Sequence, residues 1–115
     1  MATGKIEKVL NLNGSNTNGN YCKMPDGTML CWMSEQRSIA GGITSFTWTY
    51  PATFTAAPVI FSSFASDSAD QSFARIKAAA DPTAIGTSSA TIRLYNDTGS
   101  SRIPYLNLLA IGRWK

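Results

Sequence analysis

Three groups of polar residues, and one aromatic beside them, carry the side chains best suited to joint chemistry. They are Glu35, Gln36 and Arg37; Asp67, Asp70 and Gln71; Asn96, Asp97 and Arg102; and the nearby Tyr105. Carboxylates, amides and guanidinium groups bond to the hydroxyls of a saccharide, and a ring such as that of Tyr105 covers the apolar side of a sugar. Catalysis finds less support. The chain has no histidine, the commonest general base and metal ligand, so a nucleophile would need Lys, Asp or Glu as its partner. It also has no Gly-rich phosphate loop, Cys-x-x-Cys pair or Walker-type sequence. Asp67 and Asp70 are close enough to share a calcium ion, but one short acidic pair does not supply the six or more oxygens that calcium takes. The residues predict a binding protein with no cofactor or metal, and not an enzyme.

At 115 residues the chain is expected to be one domain with a modest core. Only 15% of residues are charged, so Ser, Thr, Asn and Gly must supply the polar surface, a composition that suits an extracellular or virion β-protein. The net charge of +3 is mild, and Lys5, Lys23, Arg37, Arg75, Arg93 and Arg113 form no run that tracks a phosphate backbone. Nucleic acid is therefore not expected as a partner. No apolar run approaches the roughly 20 residues that cross a bilayer, and MATGKIEKVL lacks a signal-peptide core. A soluble chain is expected, neither inserted in a membrane nor exported by that route. Asn13-Gly14-Ser15 and Asn96-Asp97-Thr98 match the glycosylation sequon and read as loop residues.

The elements that must hold the polar groups are short and rich in β-branched and aromatic residues. Breakers separate them at 13–19, 25–27, 34–42, 51–58, 67–70, 81–86 and 96–102, the pattern of an all-β antiparallel sandwich. Phe46, Trp48 and Tyr50 alternate with Ser45, Thr47 and Thr49 in the clearest period of two. Trp32, Phe46, Trp48, Tyr50, Phe54 and Phe61 read as core, with Ile76, Ile92 and Leu94. In the segment from Met24 to Thr28, Pro25 opens a type I turn and Gly27 supplies the left-handed residue of a three-residue hairpin loop. That register sets Cys22 opposite Leu30 and Cys31 opposite Tyr21, on opposite faces, so two buried free thiols are expected. A two-residue loop would put Pro25, which has no N–H, at a ladder position.

If 5–12 is the first strand and each later one reverses, 103–114 is the eighth. The loops 13–19, 34–42, 67–71 and 96–102 then gather at one distal end, away from the termini, and hold the candidate binding residues. The closing strand is apolar on both faces, with Tyr105, Leu109 and Ile111 on one and Leu106, Leu108 and Ala110 on the other. One face fits a protomer core; the simplest owner of the other is a second copy. Asn107 interrupts the apolar set, and either meets its own symmetry mates at an axis or bonds to a neighbouring backbone group.

Three stretches together resemble a known family: GNYCKMPDGTMLCWM, FTWTYPATFTAAPVIFSSFAS and LNLLAIGRWK. Tyr21, Pro25, Gly27 and Trp32, then Tyr50, Pro51, Phe54, Pro58 and Val59, then Ala110, Ile111 and Gly112 look like the motifs of bacteriophage tail fibre C-terminal domains. That family resembles the H-type lectins. Residues 19–115 are read as the domain, and 1–18 as a lead-in from a fibre shaft or a first strand. The resemblance implies a six- or seven-stranded antiparallel sandwich, assembled as a parallel homotrimer at the tip of a virion fibre. It implies attachment to a bacterial surface polysaccharide, lipopolysaccharide or capsule, or to an outer-membrane receptor, after synthesis in the bacterial cytoplasm. The alternative it allows is a structural module that trimerises or caps the fibre. The lectins' ligand residues have no matching positions here.

Overall fold

The structure is a computed structural model and describes residues 12–65 and 75–115. Eight strands follow in order: β1 (Asn13–Asn16), β2 (Gly19–Lys23), β3 (Thr28–Gln36), β4 (Gly42–Thr49), β5 (Val59–Ala65), β6 (Ile76–Ile85), β7 (Ser89–Asn96) and β8 (Tyr105–Arg113). They form two antiparallel sheets, ordered β1-β2-β3-β8-β5 and β4-β7-β6. Alternation decides what is buried. Met29 and Cys31 of β3 and Leu106, Leu108 and Ala110 of β8 face Trp48 of β4, Ile76 of β6 and Ala90, Ile92 and Leu94 of β7 across one sandwich core. At one end of that core Trp48, Tyr50 and Phe54 stack edge to face, with ring centres 5.2 and 5.1 Å apart. The buried Tyr50 hydroxyl donates to Gly86 O at 3.1 Å, and burial pushes its pKa up to about 12.

The expected hairpin holds in register. Met24 N–H donates to Thr28 O at 2.8 Å, and Gly27, at φ +99°, donates back to Met24 O at 3.0 Å. Tyr21 pairs with Cys31 and Cys22 with Leu30, so the thiols lie on opposite faces and both are free. Cys31 is buried and its thiol is pushed up to about 11 by that burial, whereas Cys22 is only half-buried. Its outward parity puts Cys22 on the side away from the core.

The segment 13–19 differs from expectation, while the expected first strand 5–12 lies almost wholly outside the described residues. Of residues 5–12 only Leu12 is described, in a turn, and the segment expected as a loop supplies β1. Side-chain amides substitute for apolar burial there. Asn16 Oδ1 accepts from Asn18 N–H at 2.9 Å to tighten the turn, and Asn16 Nδ2 donates to Pro51 O at 2.9 Å, tying this edge strand to the turn that follows β4.

A second difference lies at Asp81, expected to break the chain. Instead β6 runs on to Ile85 through a register shift between Ala80 and Ile85. The Asp81 carboxylate accepts from Thr83 N–H (3.0 Å) and Oγ1 (2.8 Å), and from Arg93 Nη2 of the neighbouring strand at 2.8 Å. The Thr83 bonds, then Arg93, hold its pKa down to about 2. This stabilisation is present above the ordinary value of 3.8 and fades as pH falls toward about 2. Denaturation midpoints across that window should therefore fall less steeply in D81N than in the parent; parallel curves contradict the assignment.

The described ends of the chain lie together, as expected of the termini. Leu12 O accepts from Lys23 N–H at 3.2 Å, and Trp114 N–H donates to Gly27 O at 2.9 Å, so both described ends meet the 24–28 hairpin. At the opposite end Ile39 and Arg102 exchange backbone bonds of 2.7 and 3.0 Å, joining the loops around them. Gly112 lies so close to Phe54 that a Cβ would sit 2.7 Å from its ring, which fixes β8 against the 50–58 turn.

Two expectations for the outer face of the larger sheet need correction. Trp32 and Phe61, expected as core, are 39% and 53% exposed, because they take the outward parity of β3 and β5. Asn107 meets two serine side chains of its own sheet where a backbone partner was one expectation. It accepts from Ser34 Oγ at 2.6 Å and donates to Ser63 Oγ at 3.3 Å, forming a polar row across β3, β8 and β5.

Candidate functional site

The residues singled out for binding fall into separate places. Glu35 and Arg37 share the inward side of β3 with Met33, and beyond the core they reach the open edge of the sandwich. Arg37 Nε donates to Glu35 Oε1 at 2.8 Å, and the guanidinium lies 3.7 Å from the centre of the Phe46 ring. Arg37 is thus held flat by an ion pair on one edge and a ring on one face, with its terminal nitrogens donating to no other described residue.

These groups form one wall of a cleft of about 370 Å³ between β3, the β4 edge and the β1–β2 turn. Asn16, Thr17 and Asn18 line it from the turn, and Thr47 and Thr49 from β4. Trp48 Nε1 donates to Asn18 O at 3.1 Å and pins the turn over the cleft. On the opposite side of the sandwich Ser62 Oγ of β5 donates to Ala78 O of β6 at 2.6 Å and ties the two sheets together. The turn amides and the β4 threonines were not singled out from the sequence. Their signal was the run NGSNTNGN, but only the pairing of β1 with β2 turns it toward Arg37.

Asn96 is a loop pin. It is 2% exposed, with Nδ2 donating to Ile39 O (3.0 Å) and Ser100 O (2.8 Å), and Oδ1 accepting from Thr98 N–H (3.0 Å) and Oγ1 (2.6 Å). No atom of that amide remains for a ligand, which corrects its expected role. Asp97 is exposed and faces Arg75 at 3.5 Å, a contact worth little in water. Arg102 takes part through its backbone bridge to Ile39, with a half-buried side chain. Gln36 Nε2 donates to Ile103 O at 3.1 Å. Tyr105 pairs with Gln36, on the outward side of the sheet from which Glu35 points inward, so it cannot cover a sugar held by Glu35 and Arg37. Asp67, Asp70 and Gln71 lie outside the described residues.

The outward face that holds Tyr105 is a second surface. Two apolar rows cross three strands there, Leu30–Ile111–Val59 and Trp32–Leu109–Phe61, followed by the polar row Ser34–Asn107–Ser63. A depression of about 420 Å³ lies along Trp32, Phe61, Asn107 and Leu109. Among the described residues, the outer face of the smaller sheet offers only one such row, Ile43–Tyr95, ending in Lys77.

No family model and no curated protein matches the sequence. Solved structures do match the fold. An N-truncated R1-type pyocin tail fibre superimposes with a TM-score of 0.68 at 18% identity, over 97% of this chain and 96% of that one. The C-terminal residues 323–701 of the P. aeruginosa R1 pyocin fibre match with a TM-score of 0.67 at 20% identity, over 85% of this chain. The corresponding R2 pyocin fibre fragment matches with a TM-score of 0.56 at 16% identity, over 98% of this chain. The match covers 27% of the R1 fragment and 29% of the R2 fragment. The chain has the antiparallel fold found in pyocin tail fibres.

Proposed function

We propose that this chain is a receptor-binding tip domain of a phage or pyocin-type tail fibre. It attaches to a bacterial surface glycan, lipopolysaccharide or capsule, without catalysing a reaction on it, and works as a parallel homotrimer joined to an upstream shaft. The observation that carries this reading is the end-to-end fold match with the truncated R1-type pyocin tail fibre. The apolar outward rows of β3, β8 and β5 support self-association, since aromatic and aliphatic groups are what the centre of a subunit interface collects. The number three, and the likeness to H-type lectins, rest on the sequence motifs. A tip with the shaft at the Leu12 and Trp114 end leaves the opposite loops toward the host and the cleft on the flank. The test is competition. Saturating purified domain is expected to block adsorption of a particle carrying the same fibre, and undiminished adsorption contradicts the proposal.

A structural trimerisation or capping module is the second reading, favoured by the way the distal loops spend their polar groups on one another around Asn96. Substitutions in the cleft separate the two. Only the first reading expects lost adsorption from a chain that still associates.

A further inference from the structure

We infer that the cleft between the β1–β2 turn, the end of β3 and the β4 edge is a subsite for one neutral sugar residue. The assignment rests on the glycan-binding reading above. It moves the contact from the loop tips to the flank of the sandwich, where no residue of the 97–104 loop reaches.

Size and lining come first. A volume of about 370 Å³ is at the small end of the roughly 300–1,000 Å³ of small-molecule sites, room for a terminal sugar and not for a long chain. The turn residues Asn16, Thr17 and Asn18 bring amides and a hydroxyl, groups that both donate and accept, as a polyol requires, and the β4 edge at Thr47 and Thr49 closes the other side.

Charge selects the ligand further. Among the described residues, Glu35 and Arg37 are the only charged ones lining the cleft, and they pair with each other at 2.8 Å. A uronate or a phosphate would have to compete with Glu35 for the guanidinium while sitting against a like charge. A neutral sugar needs no such exchange. One hydroxyl donates to a Glu35 carboxylate oxygen, and an adjacent sugar oxygen accepts from a terminal nitrogen of Arg37. The Phe46 ring and the Nε contact hold the guanidinium plane before the sugar arrives, so little side-chain entropy is lost on binding. Phe46 is already covered by Arg37, so selectivity arises from hydroxyl geometry and not from stacking on an open ring.

The experiment is a nitrogen-15 NMR titration of the full chain with methyl glycosides of the neutral hexoses and deoxyhexoses, and with methyl glucuronide. At least one neutral glycoside is expected to shift the side-chain amides of Asn16 and Asn18 and the Arg37 Nε–H. E35Q and R37K should each weaken that binding about tenfold, because each loses a charge-assisted bond to a hydroxyl, while keeping the parent backbone spectrum. Tighter binding of the glucuronide, or shifts confined to residues 97–104, overturns the cleft assignment and leaves the glycan reading standing. If no glycan binds at all, here or on an array of bacterial polysaccharides, the underlying reading fails with it.

Discussion

Phe61→Glu is expected to turn an associating chain into a monomer without unfolding it. Phe61 is 53% exposed on the outward side of β5, in one row with Leu109 and Trp32 and next to Val59, itself 61% exposed. In a lone chain the substitution touches no core residue, so its cost to the fold should stay within about 0.5 kcal/mol. In an assembly that buries this face the same change acts twice. It forfeits roughly 1 kcal/mol or more of apolar burial per protomer and places an unpaired carboxylate where desolvation costs several kcal/mol. A combined loss of about 4 kcal/mol at each contact lowers the association constant about a thousandfold. Light scattering should give three chain masses for the parent and one for F61E. Ala79→Glu, an exposed site on the outer face of the smaller sheet beside Arg93, should leave the trimer mass intact. An F61E chain of parent mass places the interface elsewhere.

Asn96→Ala should produce the largest loss of stability among the polar residues named for binding. The change deletes two donated and two accepted hydrogen bonds in a buried setting, leaving Thr98 N–H without its acceptor and the Ser100 carbonyl with the Thr98 hydroxyl alone, at 2.9 Å. Ile39 O keeps one partner, Arg102 N–H, so the loss there is partial. Since leaving a buried polar group unmet costs about 1–3 kcal/mol, a total of about 3 kcal/mol is expected. In a domain of this size that lowers the melting temperature by roughly 10–20 °C. Asn96→Asp should do no better, because it removes both donors and sets a charge against two carbonyls. Asp97→Asn, next in sequence but exposed, should shift melting by very little. If N96A melts like the parent yet binds no glycan, the pin assignment is wrong and Asn96 is a contact residue after all.

The parts of this fold legible in the sequence are those set by neighbouring residues. Pro25 and Gly27 fix their own turn, and with it the facing of both cysteines, because proline's missing N–H and glycine's positive φ act within five residues. The alternation at Phe46, Trp48 and Tyr50 is equally local. Sheet membership is not local. Nothing in β4 announces that it joins β7 and β6 while β5 crosses to pair with β8. Where both faces of a strand are apolar, composition does not say which points inward, so Trp32 and Phe61 read as core. Asp81 and Asn96 look alike in sequence, each a polar residue at a strand end. Their structural roles depend on Arg93 and Ile39, 12 and 57 residues away, and appear only once the strands are paired.

The candidate site was half legible for the same reason. Glu35 and Arg37 stood out by type, and their parity with Met33 brings them together. The opposite wall of the cleft comes from a polar edge strand that hydrophobic patterning does not detect. Tyr105 and Glu35 looked like partners because they are close along the fold, but the pleat sends them to opposite faces of one sheet.

Attachment to a surface glycan is tested most directly by an array of bacterial polysaccharides probed with the purified chain. Its oligomeric mass should be measured on the same sample. The expected result is a trimer that binds polysaccharides with accessible neutral sugars, and binds them about tenfold more weakly in R37K at unchanged mass. A folded trimer that binds no glycan on the array contradicts it and leaves the structural module as the function.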